Sequence, residues 1–228
     1  IGPRPSGSAA NVKTRQYITS TLAQSGIKAV EQPFEAATPN GPVKMANLIA
    51  TLPGQRPERI ILASHFDTKL FREFRFVGAS DGASSTAALL ELGRVLKSRD
   101  RLPFTIELLF LDGEEAVREW QGTDNTYGSR HYVDAARKAG TLASIKAFIL
   151  LDMIGDRNLT IRREEQSTRW FTDIIWNTAR TLGHRAYFLD EVMPVEDDHV
   201  PFLRAGVPAV DIIDLDYAAW HTPADTID

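Results

Sequence analysis

The chain has no cysteine among its 228 residues. Disulfides, thiolate metal sites and cysteine nucleophiles are therefore excluded, and any bound metal must rest on His, Asp and Glu. Runs of Lys or Arg are also missing. The 26 basic residues are interspersed among 30 acidic ones for a net charge of -4, so the chain lacks the basic stripe that nucleic-acid binding requires, and DNA and RNA drop out as expected partners. No apolar stretch approaches the ~18 residues of a membrane span. Repeats, low-complexity tracts and the H-E-x-x-H helix of the commonest zinc proteases are absent as well. The chain opens with Ile1 instead of Met, which reads as a processed chain and raises the expectation of a secreted or periplasmic protein.

What is present is an ordinary globular balance, 43% hydrophobic and 25% charged, without the compositional shift that marks a boundary. Residues 1–228 are expected to form a single catalytic domain. After a turn-rich entry at Gly2, Pro3, Pro5 and Gly7, residues 11–25 carry apolar side chains at helical spacing, with Gly26 as the stop. Short segments rich in Ile, Leu and Val at 45–52, 59–65, 105–111, 146–153 and 208–214 predict buried strands. Amphipathic segments at 83–97, 127–139 and 167–182 predict helices. Strands alternating with helices imply an α/β fold, with a mainly parallel sheet covered on both faces.

In such sheets ligands bind beyond the carboxyl ends of the strands. The acidic and imidazole residues fall there: His65 and Asp67 after one strand, Asp112, Glu114 and Glu115 after the next, Asp152 after a third, and Trp220 with His221 after the last. Like charges gathered in a cleft repel unless a cation neutralises them. A catalytic zinc suits this donor set. In the adjacent pair Glu114 and Glu115, neighbouring side chains on an extended segment face opposite ways, so one can bind metal while the other carries a proton. Glu164 and Glu165, beside Arg162 and Arg163, read as a solvated surface. Gly78-Ala79-Ser80-Asp81-Gly82 matches the G-x-S-x-G pattern of serine hydrolases, but no convincing buried strand leads into it. Asp81 makes more sense as a metal ligand at a helix entrance.

Several blocks in order, Gly2-Pro3-Arg4, Ser64-His65-Phe66-Asp67, Gly78 to Gly82, Asp112-Gly113-Glu114-Glu115-Ala116, Leu151 to Gly155 and His221-Thr222-Pro223, resemble the zinc aminopeptidases and glutaminyl cyclases of the M28 aminopeptidase-like metallopeptidase family. The resemblance implies a three-layer helix-sheet-helix fold around a mixed, mainly parallel central sheet. By position it implies Asp81, Glu115 and His221 as ligands of a catalytic Zn2+ and Glu114 as general acid/base. It implies His65 and Asp152, with Asp81 bridging, as holders of a second zinc in the aminopeptidases, and Asp67 as the residue orienting His65. Three features look like the cyclase branch: Trp120 with Tyr127-Gly128-Ser129-Arg130-His131, the doubled acid Asp197-Asp198 before His199, and Trp220 directly before His221. A cyclase would use one zinc, Glu114, Asp197 and Asp152 for catalysis, and Trp120, Trp220 and Tyr217 as the substrate pocket. Peptide and protein N-termini would be its substrates. Departures from the animal cyclases are the missing cysteine pair, Asp211 in place of a His, and a shorter loop before Trp220 that leaves Tyr217 as the nearest match to a pocket Phe. The ending His221-Thr222-Pro223-Ala224-Asp225-Thr226 is in the aminopeptidase style, and a di-zinc aminopeptidase is the alternative.

Overall fold

Apolar residues at every second position decide where the sheet lies. In the strand Phe104–Leu111, Leu108 and Phe110 point to one face while Leu109 and Leu111 point to the other, and all four are fully buried. A strand buried on both faces belongs in the middle of a helix-covered sheet. The computed structural model describes residues 1–227 and places this strand, β4, accordingly. The other members of the sheet are β1 (Ala29–Thr38), β2 (Gly41–Leu52), β3 (Arg56–His65), β5 (Ile145–Asp152) and β8 (Ala209–Ile213). Their order is β1-β2-β4-β3-β5-β8. β1, β2 and β4 pair antiparallel, whereas β4, β3, β5 and β8 run parallel. A separate parallel pair joins β6 (Ile161–Glu164) to β7 (Phe188–Met193).

Helices cover both faces. On one, α1 (Ala9–Gln24) and α2 (Ser85–Lys97) pack Ile18, Leu22 and Leu89 over Leu48, Leu108 and Phe110, and α4 (Arg169–Thr181) packs Trp176 over Val210 and Ile212. On the other, α3 (Tyr127–Lys138) and α5 (His199–Arg204) bring Tyr132, Val133 and Phe202 over Ile61, Leu109 and Phe148. Phe202 stacks on Phe148 with ring centroids 3.7 Å apart. The result is the mixed α/β, three-layer arrangement that the strand and helix pattern predicts.

All five expected strands and all four expected helices are present. β2 reaches back to Gly41, because the hairpin with β1 extends its pairing to Thr38. The expectations contained no β1, β6, β7 or α5. β1 is an edge strand with Pro33 and two glutamates, Glu31 and Glu35, and its side chains are mostly half-buried or exposed, so it lacks the apolar run that marks the inner strands. Among the described residues no helix is long and apolar enough to cross a membrane.

Candidate active site

Because β3, β4, β5 and β8 are parallel, their carboxyl ends share one edge, and the polar residues that follow them meet there. His65 ends β3 opposite Leu111 of β4, Glu114 and Glu115 follow β4, and Asp152 ends β5. Asp81 comes from the kinked turn Ala79–Ser84, where it leaves helical geometry at ψ 103° and Gly82 takes φ +80°. A Cβ on Gly82 would lie 2.8 Å from Cε1 of His65 and 3.0 Å from the Asp67 carbonyl oxygen. Only glycine allows both that backbone and that approach.

Two trios of ligand atoms result, each with its atoms within 4.8 Å of one another: Asp81, Glu115 and His221, and His65, Asp81 and Asp152. In the first, Nε2 of His221 is 3.4 Å from Oδ2 of Asp81 and 3.4 Å from Oε1 of Glu115. The Lys69 amide donates to the same Oε1 at 2.9 Å. In the second, Nε2 of His65 is 3.2 Å from Asp81 and 3.1 Å from Asp152. His221 itself has φ +53°, and Met153, next to Asp152, has φ +50°. Left-handed backbone at non-glycine residues costs of order 1–3 kcal/mol each and persists where surrounding structure enforces it.

Asp67 faces His65, its Oδ1 standing 3.6 Å from His65 Nδ1. It also accepts from the amides of Glu114 and Glu115 at 3.2 and 3.3 Å. Its carboxylate thus fixes the turn that carries the acidic pair.

Buried negative charge gathers at this edge of the sheet. Asp81, Glu114, Glu115, Asp152 and Asp197 are all buried, and among the described residues no Lys or Arg side chain hydrogen-bonds to them: Nζ of Lys69 donates to the Ala116 carbonyl oxygen, and the Arg4 guanidinium, whose charge is felt by Asp81 and Glu115, donates only to backbone carbonyls. Burial pushes the carboxyl of Glu114 well above its ordinary range, opposed by His65 and reinforced by Asp197 and Glu115. Burial likewise raises Glu115, with Asp81 adding to it, and raises Asp197 well above normal, with Asp152 and Asp198 adding to it. Asp81 is held low in spite of burial by hydrogen bonds from His221 and His65. Burial opposes the charged form of His221, but its bonds to Asp81 and Glu115 push it up to about 9. A divalent cation would relieve this crowding, and buried nitrogen and oxygen donors fit zinc.

Above the ligands opens a cavity of about 470 Å³, whose lining includes Glu114, Asp152, Asp197, Trp120, Trp220 and Leu215. Charges of both signs, Lys69, Arg118, Glu119 and Glu196, also line it. Trp120 is 38% exposed and Trp220 43%, so neither indole is spent on the core, unlike Trp176. Trp220 stacks on His221 at 4.5 Å. The loop bearing Trp120 is held by Asp124, which accepts from the amides of Val117, Arg118 and Glu119 at 2.8 to 3.1 Å and from the Tyr127 hydroxyl. Tyr217, expected in the pocket, does not line the cavity. Its hydroxyl donates to Asp225 at 3.0 Å, and Leu215 supplies the wall. Among the described residues no hydrogen bond links Asp197 to Asp152, and the Oδ1 of Asp197 accepts from the Asp198 amide. No strand leads into Gly78 to Gly82, and Ser80 is buried with Oγ accepting from the Gly155 amide, so the serine-hydrolase pattern is coincidental.

Glu164 is a correction. Expected on a solvated surface, it is 3% exposed. Its carboxylate accepts from the amides of Gln166, Ser167 and Val195 and from the Ser167 hydroxyl, and faces Nε2 of His199 at 2.9 Å. Flanking arginines disguise it in the sequence. Sequence reading also missed that Ser129 donates to Asp198 at 2.5 Å, although both lie in blocks singled out as cyclase-like.

Residues 47–228 match the family model for peptidase family M28. The glutaminyl-peptide cyclotransferase-like protein of Mus musculus is 37% identical over 254 residues, covering 98% of this chain and 66% of that protein, so the chain spans just under two thirds of this relative's length. The solved structure of an Acidobacteriales bacterium glutaminyl cyclase superposes with a TM-score of 0.94 at 40% identity, covering 99% of this chain and 81% of that one. A Zn-dependent exopeptidase from Parabacteroides distasonis gives a TM-score of 0.85 at 26% identity, with 99% and 85% covered.

Glu164→Ala would leave His199 and four other donors, three backbone amides and the Ser167 hydroxyl, without their partner, and urea unfolding should register a loss of about 3–5 kcal/mol. Glu165→Ala next to it, on the exposed side, should stay within about 0.5 kcal/mol of wild type.

Proposed function

The chain belongs to peptidase family M28, and within that family we propose that it is a glutaminyl-peptide cyclotransferase, converting an N-terminal Gln of peptides to pyroglutamate with release of ammonia. The observation that carries this reading is the cavity walled by two half-exposed indoles, Trp120 and Trp220, with Glu114 and Asp197 beside the trio Asp81, Glu115 and His221. Such a space suits one side chain at a chain end. The chain's likeness to the glutaminyl-peptide cyclotransferase-like protein of the mouse and to a bacterial glutaminyl cyclase points the same way.

In this reading Asp81, Glu115 and His221 hold one zinc. Bound there, it supplies Lewis-acid polarisation of the side-chain amide carbonyl. The two indoles hold the Gln side chain folded so that its α-amine faces its own amide carbon, which turns ring closure into a well-oriented intramolecular reaction. The α-nitrogen forms a bond to that carbon, the bond from the carbon to the amide nitrogen breaks, and water is not consumed. Glu114 accepts the proton that the amine loses and delivers it to the departing ammonia. Its buried position among carboxylates favours a proton-holding group. Asp197 and Asp152 flank the reacting amide and stabilise it by hydrogen bonding.

A second reading, a di-zinc aminopeptidase, has one observation in its favour: His65, Asp81 and Asp152 also converge. There Glu114 would activate a water that cuts the first peptide bond. Metal stoichiometry separates the two readings, because a requirement for two ions in active protein counts against the cyclase.

Mass spectrometry of a Gln-initiated peptide after incubation should find the loss of ammonia, while loss of a whole residue would establish the peptidase. Glu114→Gln should keep its zinc and lose about 10²–10⁴-fold in turnover, and near-normal turnover would remove Glu114 from its role. Asp197→Ser should lower kcat by roughly 10–100-fold, from the ~1.5–3 kcal/mol of a charge-assisted hydrogen bond. Pyroglutamate formation at the wild-type rate would remove Asp197 from the mechanism.

A further inference from the structure

Asp81 can hold an ion in register with His221 only if the turn that carries it stays in place, and two buried groups of opposite charge grip that turn from opposite sides. Arg4 is 5% exposed. Its Nε donates to the Phe66 carbonyl at 2.6 Å, Nη1 to that of Val77 at 2.6 Å, and Nη2 to those of Gly78 and Asp81 at 2.9 and 3.3 Å. A planar fork of donors is suited to collecting several carbonyls at once. Asp225, fully buried, takes the complementary part. Its Oδ1 accepts from the Ser80 amide at 2.7 Å and its Oδ2 from the Asp81 amide at 3.2 Å. The cation binds the turn's acceptors and the anion binds its donors.

Asp225 does more than hold the turn. It belongs to the same short segment as His221, and its Oδ1 also accepts from the Tyr217 hydroxyl at 3.0 Å. One carboxylate therefore joins the segment bearing His221 to the turn bearing Asp81, although the two are far apart in sequence. The His221 backbone sits at φ +53°, a conformation that needs such outside support. Neither Arg4 nor Asp225 belongs to the ligand trios.

We propose that Asp225, backed by Arg4, is a positioning residue of the metal centre: it sets the separation of Asp81 from His221 and thereby how tightly an ion is held. The inference rests on the reading of Asp81, Glu115 and His221 as zinc ligands. Asparagine cannot replace the carboxylate, because it has one acceptor oxygen where three donors converge and would turn its NH2 against a backbone N–H.

The test is the zinc affinity of wild type, Asp225→Asn and Tyr217→Phe, measured by competition with a chelator, together with thermal unfolding of the metal-free proteins. Asp225→Asn should bind zinc about 10–100-fold more weakly, the usual cost of losing a residue that orients a ligand, and saturating zinc should restore much of its turnover. Tyr217→Phe should lose about fivefold, in proportion to one ordinary hydrogen bond, with metal-free melting unchanged. An Asp225→Asn protein that melts lower without metal but binds zinc like wild type has lost a purely structural contact, and the proposal falls. If Asp225→Asn does not fold, wild-type zinc affinity in Tyr217→Phe overturns it equally. Wild-type protein that binds no zinc would overturn the metal site itself, and this inference with it.

Discussion

Negative charge kept out of water at one edge of the sheet is the constraint on which the rest of the structure depends. Asp81, Glu114, Glu115, Asp152 and Asp197 are delivered there from four separate segments, and a charge without a partner in the interior is among the most destabilising features a fold can carry. Such a cluster is stable only with a cation among it or protons upon it. Both possibilities are the means by which a site of this kind does chemistry, so the element that strains the fold is also the one that gives it an activity.

The buried acids fall into two groups that behave oppositely. Asp67, Asp124, Glu164 and Asp225 each accept two or more backbone amides. They act as fasteners for the loops around the cavity, and where a shift is resolved, at Asp124 and Glu164, it is downward in spite of burial. Glu114, Asp197 and Asp211 have little or no amide support, and burial drives them upward. Both oxygens of Asp211 lack a hydrogen-bond partner. In these seven residues the number of backbone N–H groups aimed at the carboxylate separates the loop fasteners from the unsupported acids.

Much of this was legible in the residues, and the limits have physical causes. The inner strands announce themselves because a doubly covered strand must be apolar on both faces, as Leu108 to Leu111 are. The convergence of His65, Asp81, Glu115, Asp152 and His221 follows once the strands are parallel, since their polar successors then share an edge. β1 escaped because an edge strand needs only one apolar face. Glu164 escaped because a charged neighbourhood in sequence says nothing about which side chain turns inward, and its partners, the amides of Ser167 and Val195 and the ring of His199, are set by tertiary folding. Asp67 was singled out as a neighbour of His65, and it faces that ring; its further contacts, to the amides of Glu114 and Glu115, are set by tertiary folding. Tyr217 was misplaced because the loop before Trp220 turns its hydroxyl back to Asp225, leaving Leu215 to face the cavity.

The mouth of the cavity carries Lys69 and Arg118 together with Glu119 and Glu196. Neighbouring charges of opposite sign largely cancel beyond a few ångströms, so these four side chains together add little net field. In the proposed cyclase, discrimination would be left to the indole walls, which touch only what enters between them. Such an architecture would read the identity of a terminus and be nearly blind to the text that follows it, which would suit it to many carriers of one shared first letter.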